Sequence, residues 1–303
     1  MKLVSIICPL HDKVAYIKQT IHSVLSQTIE NLEMLVVENH SSDSGPEVVA
    51  AFAERDARVR LILAPPEVHG PGAARNFGLA SAQGEWILFL DADDLLEVDY
   101  LEQRLAVLKS YPEAKIIAGP WKTFYPEAPD IFEIHFPNGW KPPFSPPPDS
   151  IYAYSPWALH AAMIRRDALG GTSPWIEELD DFPAEDNAFW FRVLYGKKIH
   201  WNECGGALYR KHTENSRDVS ARKFDEAFQS TWATLSTNRR HLENQGAKVS
   251  SQMASIAVRV YENLLKKSIT NQCNIIRIRK ELKKHLAETS LANPAMFLRR
   301  LKY

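Results

Sequence analysis

Glu85-Trp86-Ile87-Leu88-Phe89-Leu90-Asp91-Ala92-Asp93-Asp94 runs without a break from an apolar stretch into three carboxylates within four positions. The consecutive apolar residues Trp86 to Leu90 fit a strand covered on both faces, where the usual alternation is lost. Open α/β sheets place their ligands beyond the carboxyl ends of the strands, which is where these carboxylates stand. Asp91 and Asp93 are two apart and share a face in extended geometry. Paired hard oxygens there suit a divalent cation carrying phosphates. The same triplet also reads as an acidic strand-to-helix turn, with Asp93 or Asp94 capping a helix from about Leu95.

This strand is the fourth in an alternating series. Leu3 to Cys8 reads as an apolar strand, and Val14, Ile17, Ile21, Val24 and Leu25 then recur at helical spacing. Leu32 to Val37 is a second strand, Glu47 to Ala53 a helix, Val59 to Leu63 a third strand and Pro71 to Ala80 a helix. Strands alternating with helices predict βαβ units and a mainly parallel sheet, an α/β fold. Polar residues gather after the first, second and fourth strands, on the one sheet edge where a nucleotide would bind. Prolines and aromatics crowd residues 120–157, which read as a long surface excursion because proline forbids regular helix and disfavours central strands. Ala158 to Ile164 reads as a strand, Ala184 to Tyr195 as a helix, and a further strand starts at Ile199. From about Val219 the pattern is helical, and its end is basic, with Ile275, Ile278, Leu282 and Leu286 as an apolar stripe. That stripe suits packing onto the rest of the protein or a partner, and also contact with an anionic membrane surface.

A net charge of -1 gives no whole-protein field toward nucleic acid. The three cysteines, Cys8, Cys204 and Cys273, are far apart, so a zinc site or disulfide framework is not expected and a reducing compartment fits. No apolar stretch approaches the roughly 20 residues that span a bilayer. Residues 1–10 read as a strand rather than a signal peptide, and a cytoplasmic location, with peripheral contact to the inner membrane face, is the expectation.

Taken together, Val4-Ser5-Ile6-Ile7-Cys8-Pro9, Leu35 to Asp43, Gly72-Ala73-Ala74-Arg75-Asn76-Phe77-Gly78 and Asp91-Ala92-Asp93-Asp94 resemble the family 2 inverting glycosyltransferases, in that family's order. Ala184-Glu185-Asp186 and Tyr209-Arg210-Lys211-His212 extend the resemblance to about residue 215. It implies a GT-A fold over residues 1–215 with a helical extension over 216–303. It also implies a nucleotide-diphospho-sugar donor, in many members a UDP-sugar, and Mg2+ or Mn2+ as cofactor. The acceptor would be a glycan or lipid-linked glycan in cell-envelope or surface polysaccharide synthesis, and assembly as a homo-oligomer is compatible with this.

By the same resemblance the loop Pro9, Leu10, His11 and Asp12 lies beside the nucleobase, and Glu38 bonds the base edge. Arg75 faces the donor and the strand-end carboxylates. Asp91 faces the ribose, Ala92 lies between the two carboxylates, and Asp93 and His212 hold the metal. Arg210 is a candidate phosphate partner. Asp186 is the base that removes the acceptor hydroxyl's proton, with Glu185 beside it and Asp180 and Asp181 as fallbacks. Glu38, Asn39, His40 and Asp12 depart from the family's common aspartate, aspartate-glycine pair and asparagine, which puts recognition of uracil in particular in doubt. Gly72 and Gly78 read as relieving backbone crowding. Aromatics including Trp121, Phe124, Tyr125, Tyr152, Trp157 and Trp175 could form an acceptor platform or a core. The competing functions are a sugar nucleotidyltransferase, which would need a glycine-rich basic loop after the first strand, and a nucleotide-sugar-binding module without turnover.

Overall fold

Val4–Leu10 (β1), Val14–Leu25 (α1), Leu32–Glu38 (β2), Gly45–Ala53 (α2), Val59–Leu63 (β3), Pro71–Ser81 (α3) and Trp86–Phe89 (β4) follow one another as the alternation predicts. The computed structural model describes residues 3–135, 148–182, 185–211 and 224–267. Next come Leu95–Leu96 (β5), Tyr100–Ala106 (α4), Ile116–Ala118 (β6), Trp121–Tyr125 (β7), Ala128–His135 (β8) and Pro148–Ile151 (α5). Ala162–Arg165 (β9), Glu185–Leu194 (α6), His200–Trp201 (β10), Ala207–Arg210 (β11), Phe224–Asn244 (α7) and Ser251–Lys267 (α8) complete the series.

Seven strands form the main sheet in the order β10-β6-β9-β4-β1-β2-β3. β1 is parallel to β2 and β4, and β2 to β3, with Ile6 opposite both Met34 and Leu88. β9 alone runs against its neighbours β4 and β6. Trp86, Ile87, Leu88 and Phe89 are all buried, as are Ile6, Ile7, Met34, Leu35, Val36 and Val37. Such strands, covered on both faces, are why the apolar runs show no alternation. α1 buries Ile17, Ile21 and Val24.

Two expectations change. Residues 121–135 are not an excursion: β7 and β8 form a hairpin closed at Pro126 and Glu127, in a second sheet of order β5-β11-β7-β8. Proline is excluded from central strands but tolerated at edges, and Pro129 lies on β8, the edge strand. No helix starts at Leu95 either; β5 does, and α4 waits until Tyr100. The further prolines Pro137, Pro142, Pro143, Pro146 and Pro147 and the basic stripe beyond residue 267 lie outside the described residues.

The chain clusters into two units. One holds both sheets. The other gathers α7 and α8 together with α5 and α6, which come from within the first 215 residues. In this second unit the buried Asn238 donates from Nδ2 to Tyr152 O at 2.8 Å and to Asn187 Oδ1 at 3.1 Å, and Asn187 donates to Ile151 O at 3.2 Å. Among the described residues no helix is long and apolar enough to cross a membrane.

Candidate active site

β1, β2 and β4 are adjacent and parallel, so the loops leaving their carboxyl ends share one edge of the sheet. The loop after β4 is a tight turn in which Asp94 N donates to Asp91 O at 3.1 Å. Distant elements pin it: Thr20 Oγ1 on α1 donates to Ala92 O at 2.9 Å, and Arg210 Nε on β11 donates to Asp93 O at 2.7 Å. Arg210 also donates to Gln19 Oε1 at 2.8 Å and lies over the rings of Phe124 and Tyr16. Its guanidinium is thus built into the wall behind the turn, where the sequence suggested a phosphate partner.

Each carboxylate of the turn meets a different basic side chain. Arg75 Nη2 donates to Asp91 Oδ1 at 2.6 Å. Lys13 Nζ lies 2.7 Å from Asp93 Oδ2, with about 15% of either side chain exposed. Asp94 Oδ2 is 3.1 Å from His160 Nδ1, and Asp94 Oδ1 accepts the Arg210 backbone N–H at 2.8 Å. Asp94 is only 1% exposed, so it is no helix cap; it ties the turn to β11 and to the chain before β9. Burial pushes the Asp94 carboxyl up to about 6, against the pull of His160. Burial opposes the charged imidazole of His160, yet Asp94 and Asp91 together hold its pKa above the ordinary value. Tyr100 fixes the histidine's backbone by donating its hydroxyl to His160 O at 2.6 Å.

Arg75 is buried in the first turns of α3, with its guanidinium over the ring of Trp175 at 4.3 Å. A surface ion pair is therefore excluded. Asn76 holds that tryptophan's backbone on both sides of its Cα, donating to Trp175 O at 3.0 Å and accepting from Trp175 N–H at 3.1 Å. Asp180 bonds the start of α3: its carboxylate accepts the N–H groups of Gly72 and Ala73, each at 2.8 Å. It caps α3 from far along the chain. A Cβ on Gly72 would stand 2.4 Å from Asp180 Oδ1, and one on Gly78 2.7 Å from Ile7 Cγ2, so both glycines do relieve crowding.

The loops after β1 and β2 knit together. Asp12, at φ 50°, accepts the Ser42 N–H at 2.6 Å and its hydroxyl at 3.0 Å, and these bonds hold its carboxyl below the ordinary value. Glu38 Oε1 accepts the Ser41 N–H at 2.5 Å. His11 has an exposed side chain whose Nδ1 lies 2.8 Å from Asn39 O, and Pro9 sits opposite Val37. His40 adopts φ 60°, a left-handed conformation that suits glycine, and its Nε2 lies 3.0 Å from Val68 O. The histidine thus holds a turn for which the resembling family uses glycine.

Asp186 and the buried Glu185 open α6 in the second unit. His212 lies outside the described residues. Of the aromatics, Phe124, Tyr152, Trp157 and Trp175 are buried, while Trp121 stacks on His135. Phe124 also lines a cavity of about 340 Å3 with Tyr16, Gln19, Phe132 and Arg210. Among the described residues no group of three or more His, Cys, Asp or Glu could hold a metal ion. The turn still fits Mg2+ or Mn2+ of the kind bound by one or two carboxylates and completed by substrate phosphates, with Asp93 as hard-oxygen donor. Lys13 and His160 escaped the sequence reading, and Asp180 entered it only as a fallback base, since each acts on a partner many positions away and belongs to no local motif.

A family model described as Glycosyl transferase family 2 matches residues 5–169, more than half of the chain. An uncharacterized glycosyltransferase of Haemophilus influenzae is 41% identical over 105 residues, which is 35% of this chain and 42% of that protein. The chain thus matches less than half the length of this curated relative. The crystal structure of S. aureus TarS 1-349 in complex with UDP superposes with a TM-score of 0.58 at 19% identity, covering 90% of this chain and 73% of that one. The mannosyltransferase PcManGT from Pyrobaculum calidifontis, in complex with GDP-Man and Mn2+, superposes with a TM-score of 0.51 at 16% identity, covering 93% and 86%. These likenesses show a shared fold, the GT-A fold expected from the motifs.

Proposed function

Because the chain belongs to glycosyl transferase family 2, we propose that it moves a sugar from a nucleotide-diphosphate donor to a hydroxyl of a glycan, with inversion at the anomeric carbon. The observation that carries this reading is the strand-end turn, where Asp91 and Asp93 stand beside Arg75 and Lys13 at the edge to which β1 and β2 also lead. Carboxylates paired with cations at this edge suit a diphosphate and its ion. UDP is our choice of nucleotide; the TarS structure holds UDP and the mannosyltransferase GDP-Man.

Asp93, with His212 by family order, would hold Mg2+ or Mn2+. When bound, such an ion neutralises charge that grows on the diphosphate as the sugar leaves. Arg75, fixed over Trp175, orients Asp91, which we assign to the donor's ribose. Pro9, His11, Asp12 and Glu38 form the base-side loops, although Asp12 and Glu38 spend carboxylate oxygens on Ser42 and Ser41. Asp186 is assigned as the base that takes the acceptor's proton. The cavity beside α1 has the exposed Phe132 in its lining, and an aromatic ring of this kind, which can stack on a sugar, supports a glycan acceptor. Synthesis of cell-envelope or surface polysaccharide is the setting by family analogy.

Calorimetry with UDP and GDP in the presence of Mn2+, followed by donor-hydrolysis screening by mass spectrometry, tests the reading. Metal-dependent binding with release of sugar from one donor is expected. Tight binding without turnover of any donor or acceptor would instead establish a binding module.

A further inference from the structure

The three carboxylates after β4 are already matched by basic side chains of the protein, Arg75 on Asp91, Lys13 on Asp93 and His160 on Asp94. These matches differ in kind. Arg75 is 4% exposed, delocalised and clamped over Trp175, so it is a fixture. Lys13 is a compact charge on a flexible stem, and its partner Asp93 is the carboxylate assigned above to the divalent ion. An ammonium 2.7 Å from Asp93 Oδ2 neutralises this carboxylate and repels a divalent ion that would approach it. Little of either side chain is exposed, so water screens the pair less than it would a surface one.

Lys13 directly follows Asp12, in the loop between β1 and α1, and its side chain reaches from there to Asp93. A nucleoside diphosphate held between the base-side loops and the strand end would lay its phosphate oxygens along that reach. The geometry points to Lys13 as an exchange cation: in the free protein it closes Asp93, and on donor binding it turns to the diphosphate and releases Asp93 to the metal. Nucleotide and metal then bind cooperatively, and the coupling is reciprocal. This rests on the donor reading above.

Mn2+ titrations followed by electron paramagnetic resonance, with and without UDP, read the coupling directly and need no turnover. In the wild type, UDP should tighten Mn2+ binding by about tenfold or more. Lys13→Met should bind Mn2+ more tightly than the wild type when UDP is absent, should lose most of the coupling, and should bind UDP more weakly in EDTA. Lys13→Arg, which keeps the charge, should retain part of the coupling. Far-UV circular dichroism checks each variant's fold, and Lys13→Gln replaces any variant that fails. Equal Mn2+ affinity with and without UDP in the wild type overturns the inference, as does unchanged coupling in a folded Lys13→Met. Binding of neither UDP nor GDP under any condition overturns the donor reading itself, and the inference with it.

Discussion

At Asp94 a carboxylate that is 1% exposed lies between the backbone of Arg210 and the ring of His160. Removing one partner of a buried pair leaves the other charge and its donors stranded. Asp94→Ala should therefore destabilise the protein by about 3 kcal/mol, read by urea unfolding. A loss under about 1 kcal/mol would mean the pair is not the anchor described. Asp12 offers a pH test. Its folded-state pKa is lowered, first by the Ser42 backbone N–H, so its contribution is complete above its unfolded value of about 3.9. That contribution is lost as pH falls through the lower, folded value. In Asp12→Asn the acid limb of the stability curve should be flatter than in the wild type. The residues whose structural partners the sequence could not name share one trait. Lys13, His160 and Asp180 look ordinary in their own neighbourhoods and gain meaning only from partners on other elements.

Among the elements, α3 is the most heavily constrained. Asp180 binds its first amides, Gly72 abuts that carboxylate, and Gly78 faces Ile7 and Val37. Asp180→Ala should cost about 1 to 2 kcal/mol through loss of the cap, measured as a lowered urea midpoint. Gly78→Ala should cost about 1 to 3 kcal/mol by overpacking, since its Cβ would meet two side chains inside 3.0 Å. Both should also weaken nucleotide binding, because α3 carries Arg75. The alternating elements up to β4 were legible because βαβ periodicity is local: Val59–Leu63 matches its predicted bounds, and Pro71–Ser81 runs one residue beyond its own. The β7–β8 hairpin was not, because its prolines carry the same compositional mark as a loop and only the sheet order reveals β8 as an edge. The sequence leaves Asp94 open for a related reason. The acidic turn looks like a helix start until β11 is known to lie beside it.

At the scale of the whole molecule, the assigned donor site belongs to the unit with the two sheets, whereas Asp186 belongs to the helical unit. This division predicts separable defects. Asp93→Ala should abolish the metal-dependent part of UDP binding in calorimetry. Asp186→Ala should leave UDP affinity within about twofold while lowering transfer by about 100-fold or more, as loss of a general base does. Wild-type transfer by Asp186→Ala would remove it as the base. Of this site, the strand-end carboxylates and Arg75 were legible from motif order, but the cations that balance Asp93 and Asp94 were not, since charge balance is a property of the assembled fold.

The Asp180 contact with α3 has a last consequence. The start of a helix is ordinarily a ready berth for phosphate, because its amides are unpaired and its dipole is positive. Here an anion of the protein itself lies moored in that berth. A visiting diphosphate must therefore find its compensation in side chains and in a cation it brings with it. Vacating the berth should add phosphate affinity: millimolar inorganic phosphate should raise the Tm of Asp180→Ala by more than that of the parent.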